Sequence, residues 1–194
     1  PLLSPNSIRR VSQSVSTPSL RRASGYMRRG TAARQVDRRM TADRLGDRMK
    51  GYEARETGRR FLPGVPVVAR IDGRSFSKFT KGMERPYDSG FMSVMEETAR
   101  ALVDETNARI AYVQSDEITL VFLADKPGSE IFFDGKIQKM TSVLAAAATS
   151  AFTMKALDVW PERVARMRPH FDARAFHVPN RTEAANCVLW REFD

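Results

Sequence analysis

Residues 65–71, VPVVARI, constrain the fold more than any other stretch of the chain. The run is apolar on both faces, as a central strand of a sheet is. The downstream segments supply its neighbours. Asp88 or Ser89 can cap a helix running to about Asn107, with Phe91, Met95, Ala99, Leu102 and Val103 recurring at helical spacing. RIAYVQ (109–114) and EITLVF (117–122) read as two strands, and Ser115–Asp116 between them as a hairpin tip. A long helix is expected over roughly 129–157, ending before Pro161, because the residue before a proline is biased away from helical geometry. DARAFHVP (172–179) alternates as a fourth strand, and Thr182–Arg191 begins a further helix. Upstream, residues 43–60 read as a polar helix or arm. The order β-α-β-β-α-β predicts an α+β fold of the split, ferredoxin-like kind: an antiparallel sheet with both helices on one face. In that topology the first and third strands lie side by side at the centre.

Two carboxylates gain meaning from this arrangement. Asp72 ends the first strand, with Gly73 directly after it, and Asp116 sits in the hairpin before the third strand. Both fall at one rim of the sheet. Carboxylates brought that close repel and raise each other's pKa unless a cation lies between them. Mg²⁺ binds one or two carboxylates together with the phosphate oxygens of a substrate, and a pair of such ions about 3.5–4 Å apart clamps a phosphoryl transfer. Gly73 permits a tight turn, a carbonyl offered to metal, or close approach of a triphosphate, and amides of residues 73–77 can cradle phosphates. Glu117 completes the acidic set or supports it from behind. Taken singly, Asp-Gly and Ser-Asp are also ordinary turn dipeptides. Lys136 and Lys139 share a helix face that either meets phosphate or is merely solvated.

Charge is distributed unevenly. The net +9 arises entirely within residues 1–50, which hold 12 Lys and Arg against 3 Asp; the remainder carries 20 of each sign. Residues 1–36 contain arginine, abundant serine and no acid, the composition of a mitochondrial transit sequence or of a basic arm for a phosphate backbone, with Arg21, Arg22, Arg28 and Arg29 as candidate RNA contacts. The expected location is the mitochondrial matrix, or otherwise the cytoplasm. One cysteine, Cys187, excludes a disulfide framework within the chain. The uncharged stretch Met140–Met154 is short for a bilayer and reads as a buried helix, so no membrane partner is expected. The domains expected are an Arg/Ser-rich extension over 1–42 and a catalytic domain over 43–194.

The segments VVARIDGRSFSKF, RPYDSGFMSVMEETARALV, AYVQSDEITLVF, FFDGKIQKMTSVLAAAATSAF and FDARAFHVP, in this order, resemble the tRNA-His guanylyltransferase family, and in particular its guanylyltransferase-like branch. The resemblance implies a polymerase palm-like domain that extends tRNA 5′ ends in the 3′-to-5′ direction, with GTP and ATP as substrates. It implies two Mg²⁺ ions held by Asp72, the Gly73 carbonyl and Asp116, with Glu117 as the acidic residue after the metal ligand. It further implies nucleotide contacts from Gly73, Arg74, Ser75, Phe76, Ser77, Asp88, Ser115, Lys136 and Lys139, and assembly as a homo-oligomer. After the fourth strand the eukaryotic enzymes carry His-Ile-Asn-Asn-Leu-Tyr-Asn, whereas residues 183–194 here read EAANCVLWREFD, which favours repair of truncated tRNAs over a dedicated G addition. The resemblance implies a further helical C-terminal part, which is expected to be missing or truncated in this sequence. The competing expectations are an idle relative serving as an RNA-binding subunit of an assembly such as a mitochondrial ribosome, and a palm-type nucleotide cyclase.

Overall fold

The computed structural model describes residues 31–124 and 128–193, with side chains from Arg44 onward. The arginines proposed as RNA contacts, Arg21, Arg22, Arg28 and Arg29, lie outside the described residues. Contacts divide the chain between Arg44 and Leu45. Helix α1 (Thr31–Thr57) runs across that division, and the sheet belongs to the second unit.

The sheet has four antiparallel strands: β1 (Val67–Gly73), β2 (Ile110–Gln114), β3 (Glu117–Phe122) and β4 (Phe171–His177). Their order is β2-β3-β1-β4, with β1 and β3 at the centre as the sequence predicts. β1 is apolar on both faces because both faces are covered. Val67, Ala69 and Ile71 join the main core beneath α3 (Ser89–Thr106) and α4 (Ile137–Val159). Val68 points the other way, into a smaller cluster with Val121, Val178 and Ala184 under α6 (Arg181–Phe193). Helix α3 starts where Asp88 caps it and stops where Asn107 turns left-handed, φ 56°.

Three features depart from the sequence expectation. The fourth helix starts at Ile137 rather than near 129, because Phe133, Asp134 and Gly135 all take positive φ in a short 3₁₀ turn. That turn is held on the incoming chain: the Phe61 amide donates to the Gly135 carbonyl at 3.0 Å, and the Ile137 amide to the Arg59 carbonyl at 3.1 Å. Two short helices also appear, α2 (Phe76–Phe79) after β1 and α5 (Pro161–Met167) after α4, with Pro161 at a first-turn position where its missing N–H costs nothing. Finally, α4 has 23 residues and is long and apolar enough by length and composition to cross a bilayer. It is also only half buried. Met140, Leu144, Ala148, Phe152 and Ala156 form one fully buried stripe against the sheet, while Ser142, Ala146, Ser150 and Met154 face outward. That is the packing of a core-covering helix.

An aromatic cluster supports the sheet end that bears Asp72. The Phe76 ring lies 5.5 Å from that of Phe79, 5.1 Å from Phe152, 4.9 Å from Phe171 and 6.1 Å from Phe91. Rings at these tilted and edge-on geometries add about 0.5–1.5 kcal/mol per pair beyond the area they bury. The C-terminal half of α4 therefore anchors this end, and its N-terminus lies at the other.

Candidate active site

Antiparallel pairing brings the acids together. Asp72 is the register partner of Glu117 on β3 and of Asp172 on β4. The Gly73 amide donates to the Asp116 carbonyl at 3.1 Å, tying the end of β1 to the hairpin tip. Ser115 occupies the left-handed region at that tip, φ 52°, and its hydroxyl donates to Asp116 Oδ1 at 3.2 Å. The Asp72 carboxyl is pushed above its ordinary value, first by desolvation and then by Asp116 and Asp172, with Glu117 adding to the rise and Arg174 opposing it. Arg174 reaches between strands, Nη2 3.5 Å from Asp72 Oδ2 and Nε 3.6 Å from Asp172 Oδ1. Asp172 and Arg174 carry no motif; the alternation of FDARAFH, combined with a β1–β4 pairing, is the signal that could have found them.

Beside these carboxylates opens a cleft of about 760 Å³, with Asp72, Ser75, Ser77, Arg85, Asp88 and Asp116 among its walls. Phe76 lies beneath it, and the whole residue, backbone included, is only 2% exposed, so the nucleotide contact expected of Phe76 falls to its neighbours Ser75 and Ser77. The tight turn after β1 is made by Ser75, φ 60°, and not by Gly73, whose φ is not positive. Glycine is required at 73 for another reason. A Cβ there would lie 2.5 Å from Phe76 Cγ and Cδ2. The expected phosphate cradle also narrows, since the Gly73 amide serves Asp116 and the Arg74 amide serves the His170 carbonyl at 3.0 Å. The amides of Ser75, Phe76 and Ser77 donate to no backbone carbonyl among the described residues. Arg74 is exposed and outside the cleft lining. Asp88 lines the cleft while capping α3: its carboxylate accepts from the Phe91 amide at 2.9 Å and the Glu84 amide at 3.2 Å, and these bonds pull its pKa down.

Two further expectations meet a different geometry. Lys136 and Lys139 do not converge on Asp72. They border a second cavity of about 440 Å³ beside Phe122, the partner of Val67 at the opposite end of β1. Five residues of strand separate the two ends, roughly 17 Å. Lys139 sits over the Phe133 ring at 4.5 Å. Glu117 is only 13% exposed and turns beneath α6, where Arg191 Nε approaches it at 2.8 Å and Arg70 Nε at 3.2 Å. Trp190 stacks on Arg70 at 4.6 Å. Glu117 therefore stands behind the aspartates and not among the cleft walls.

A group implied by the family can be tested against these residues. Asp72 and Asp116 repel across one backbone hydrogen bond, and a divalent cation between them relieves that repulsion. Among the described residues no group of three or more His, Cys, Asp or Glu is arranged to hold a metal by itself. Two carboxylates supplemented by carbonyl, water and phosphate oxygens are the kind of shell that Mg²⁺ accepts, so the residues fit.

The fold and site together define an α+β domain of split β-α-β topology with an acidic pair at one sheet end and a cleft beside it. A profile for the family described as tRNAHis guanylyltransferase matches residues 46–179. The chain belongs to the tRNAHis guanylyltransferase family. It is 32% identical over 152 residues to the tRNA(His) guanylyltransferase of Schizosaccharomyces pombe, covering 75% of this chain and 54% of that one. A bacterial tRNA(His) guanylyltransferase-like protein solved in complex with GTP aligns with a TM-score of 0.70 at 34% identity, covering 76% of this chain and 69% of that one. The same TM-score and identity hold for the structure in complex with ATP, with 76% and 64% covered. The chain spans a little over half the length of the S. pombe relative.

Proposed function

We propose that this domain is a nucleotidyltransferase that adds nucleotides to the 5′ end of tRNA. The observation that carries the reading is the Gly73–Asp116 backbone bond, which fixes two repelling aspartates at the mouth of a cleft large enough for a nucleotide. The likeness to proteins solved with GTP and with ATP supports nucleoside triphosphates as substrates. In this reading the 5′-monophosphate of the RNA attacks the α-phosphorus of ATP and releases pyrophosphate, and the 3′-hydroxyl of an incoming nucleotide then attacks the RNA's 5′ phosphorus, gives up its proton and expels AMP. The hydroxyls and amides of the exposed Ser75 and Ser77 bind phosphate oxygens. Asp72, Asp116 and the Gly73 carbonyl would hold Mg²⁺, which supplies charge neutralisation at the reacting phosphate. Glu117, locked by Arg191 and Arg70, keeps β3 and its hairpin in register behind Asp116. Phe76 and its ring neighbours keep the cleft floor rigid and dry.

The test is a 5′-extension assay with Mg²⁺, ATP, GTP and a 5′-monophosphorylated tRNA lacking its first nucleotide, run beside Asp116→Ala. Growth of the RNA by the wild type and none by the variant is expected. Growth by both would remove Asp116 from the chemistry, and growth by neither would refute the activity.

A further inference from the structure

Two segments beside the cleft carry more cations than carboxylates, and among these cations only Arg163 acts on an acid of the cleft, Asp88. Residues 74–85 hold Arg74, Lys78, Lys81 and Arg85 against Glu84 alone, and residues 163–170 hold Arg163, Arg166 and Arg168 against no acid. All but Arg163 are exposed, and none of these six forms a salt bridge among the described residues. Elsewhere on this domain the arginines of the sheet, Arg70 and Arg174, are paired with acids.

The two segments are joined side by side. Arg163 Nη1 donates to the Phe79 carbonyl and, at 3.2 Å, to the Lys81 carbonyl. The Arg74 amide donates to the His170 carbonyl at 3.0 Å. These contacts set the two cationic segments against each other as one patch, with Arg85 in the cleft wall itself. Like charges gathered without partners cost folding energy, and that cost is recovered when a polyanion covers them and its counterions are released.

We infer that this patch is the docking surface for the sugar–phosphate backbone of the RNA substrate, delivering its 5′ end to Asp72 and Asp116. The inference rests on the function proposed above and names where its RNA binds. A lone triphosphate is the weaker fit. Arg166 and Arg168 are not among the cleft walls, and α5 alone extends about 10 Å. A strand with a charge at every residue engages cations spread over that distance.

The experiment measures binding of a 5′-monophosphorylated tRNA transcript across a salt series for the wild type, Arg166→Glu/Arg168→Glu and Lys78→Glu/Arg166→Glu. The second variant avoids Arg168, which ends α5 in the left-handed region. A control, Arg48→Glu/Arg100→Glu, makes the same charge change at exposed positions outside the patch. Loss of two phosphate contacts lowers the slope of log K against log [salt] by roughly 1.5–2 and weakens binding at least about tenfold at 0.1 M salt. GTP affinity stays unchanged, and in the extension assay KM for RNA rises while kcat holds. Affinity and slope equal to the wild type, an equal loss in the control, or a wild type that binds no RNA would each overturn the inference. The two readings fail separately. A wild type that binds RNA through the patch yet adds no nucleotide refutes the activity and leaves the surface standing. Full activity with unchanged KM in both patch variants refutes the surface and leaves the activity.

Discussion

Gly73→Ala is the substitution whose outcome the structure determines most directly. The new Cβ would sit 2.5 Å from Phe76 Cγ and Cδ2 and 2.9 Å from Cε2. Ordinary carbon contacts lie at about 3.5–4.0 Å, so either ring or strand must retreat by about 1 Å. The ring has nowhere to go, with Phe79, Phe91, Phe152 and Phe171 around it. The strand is held by the Gly73 amide on Asp116. Overpacking of this kind costs about 1–3 kcal/mol, and the small gain from removing a glycine at an ordinary φ, about 0.4–1 kcal/mol, offsets part of it. A net loss of about 1–2 kcal/mol is expected, or about 2–8 °C in Tm for a unit of this size. Urea unfolding measures it, with the m-value unchanged. The decisive comparison is a double-mutant cycle with Phe76→Ala, which removes Cγ and every overlapping ring atom. The cycle should return a favourable coupling of about 1 kcal/mol or more. A Gly73→Ala protein as stable as the wild type, or strictly additive effects, would refute the claim that the ring dictates the glycine. If the strand yields, Asp72 shifts from Asp116 and kcat/KM falls with stability.

Asp88→Ala removes the cap of α3 and should cost about 1 kcal/mol at neutral pH. The capped carboxylate has a depressed pKa, so its contribution is complete above the ordinary aspartate range and disappears as pH falls through the folded value; urea curves for wild type and variant should therefore converge in acid. Arg191→Ala leaves the little-exposed Glu117 with Arg70 as its one cationic partner among the described residues and should destabilise by about 1–3 kcal/mol. Arg191→Lys, which keeps a cation facing Glu117, should recover part of that loss, and a Lys variant no more stable than the Ala variant would contradict the pairing.

How far the sequence reached can be traced residue by residue. The spacing of Phe91, Met95, Ala99 and Leu102 marked α3, and the QSDE turn marked the β2–β3 hairpin, because helical period and turn chemistry are local properties. The split β-α-β order brought Asp72 and Asp116 together, because antiparallel pairing of β1 with β3 is a consequence of that order. Periodicity could not tell which sheet end a helix terminus reaches: spacing left Lys136 and Lys139 as phosphate-facing or merely solvated, the resemblance implied a phosphate role, and they lie at the far end beside Phe122. It could not anticipate the left-handed Phe133–Gly135 turn, which is held by the chain at Arg59 and Phe61.

The sequence by itself determined the order of elements, the two strand-end aspartates and the imbalance of charge, all of which depend on neighbours along the chain. Only the tertiary structure decided that Gly73 yields to the Phe76 ring, that Glu117 is held beneath α6, that Asp172 and Arg174 join the acidic end, and that Arg163 of α5 is tied to the chain at Phe79 and Lys81. Gly73 and Phe76 are near in sequence, but the ring is pinned by Phe152 and Phe171; the others join residues 74 to 102 apart along the chain, set by packing rather than by local pattern.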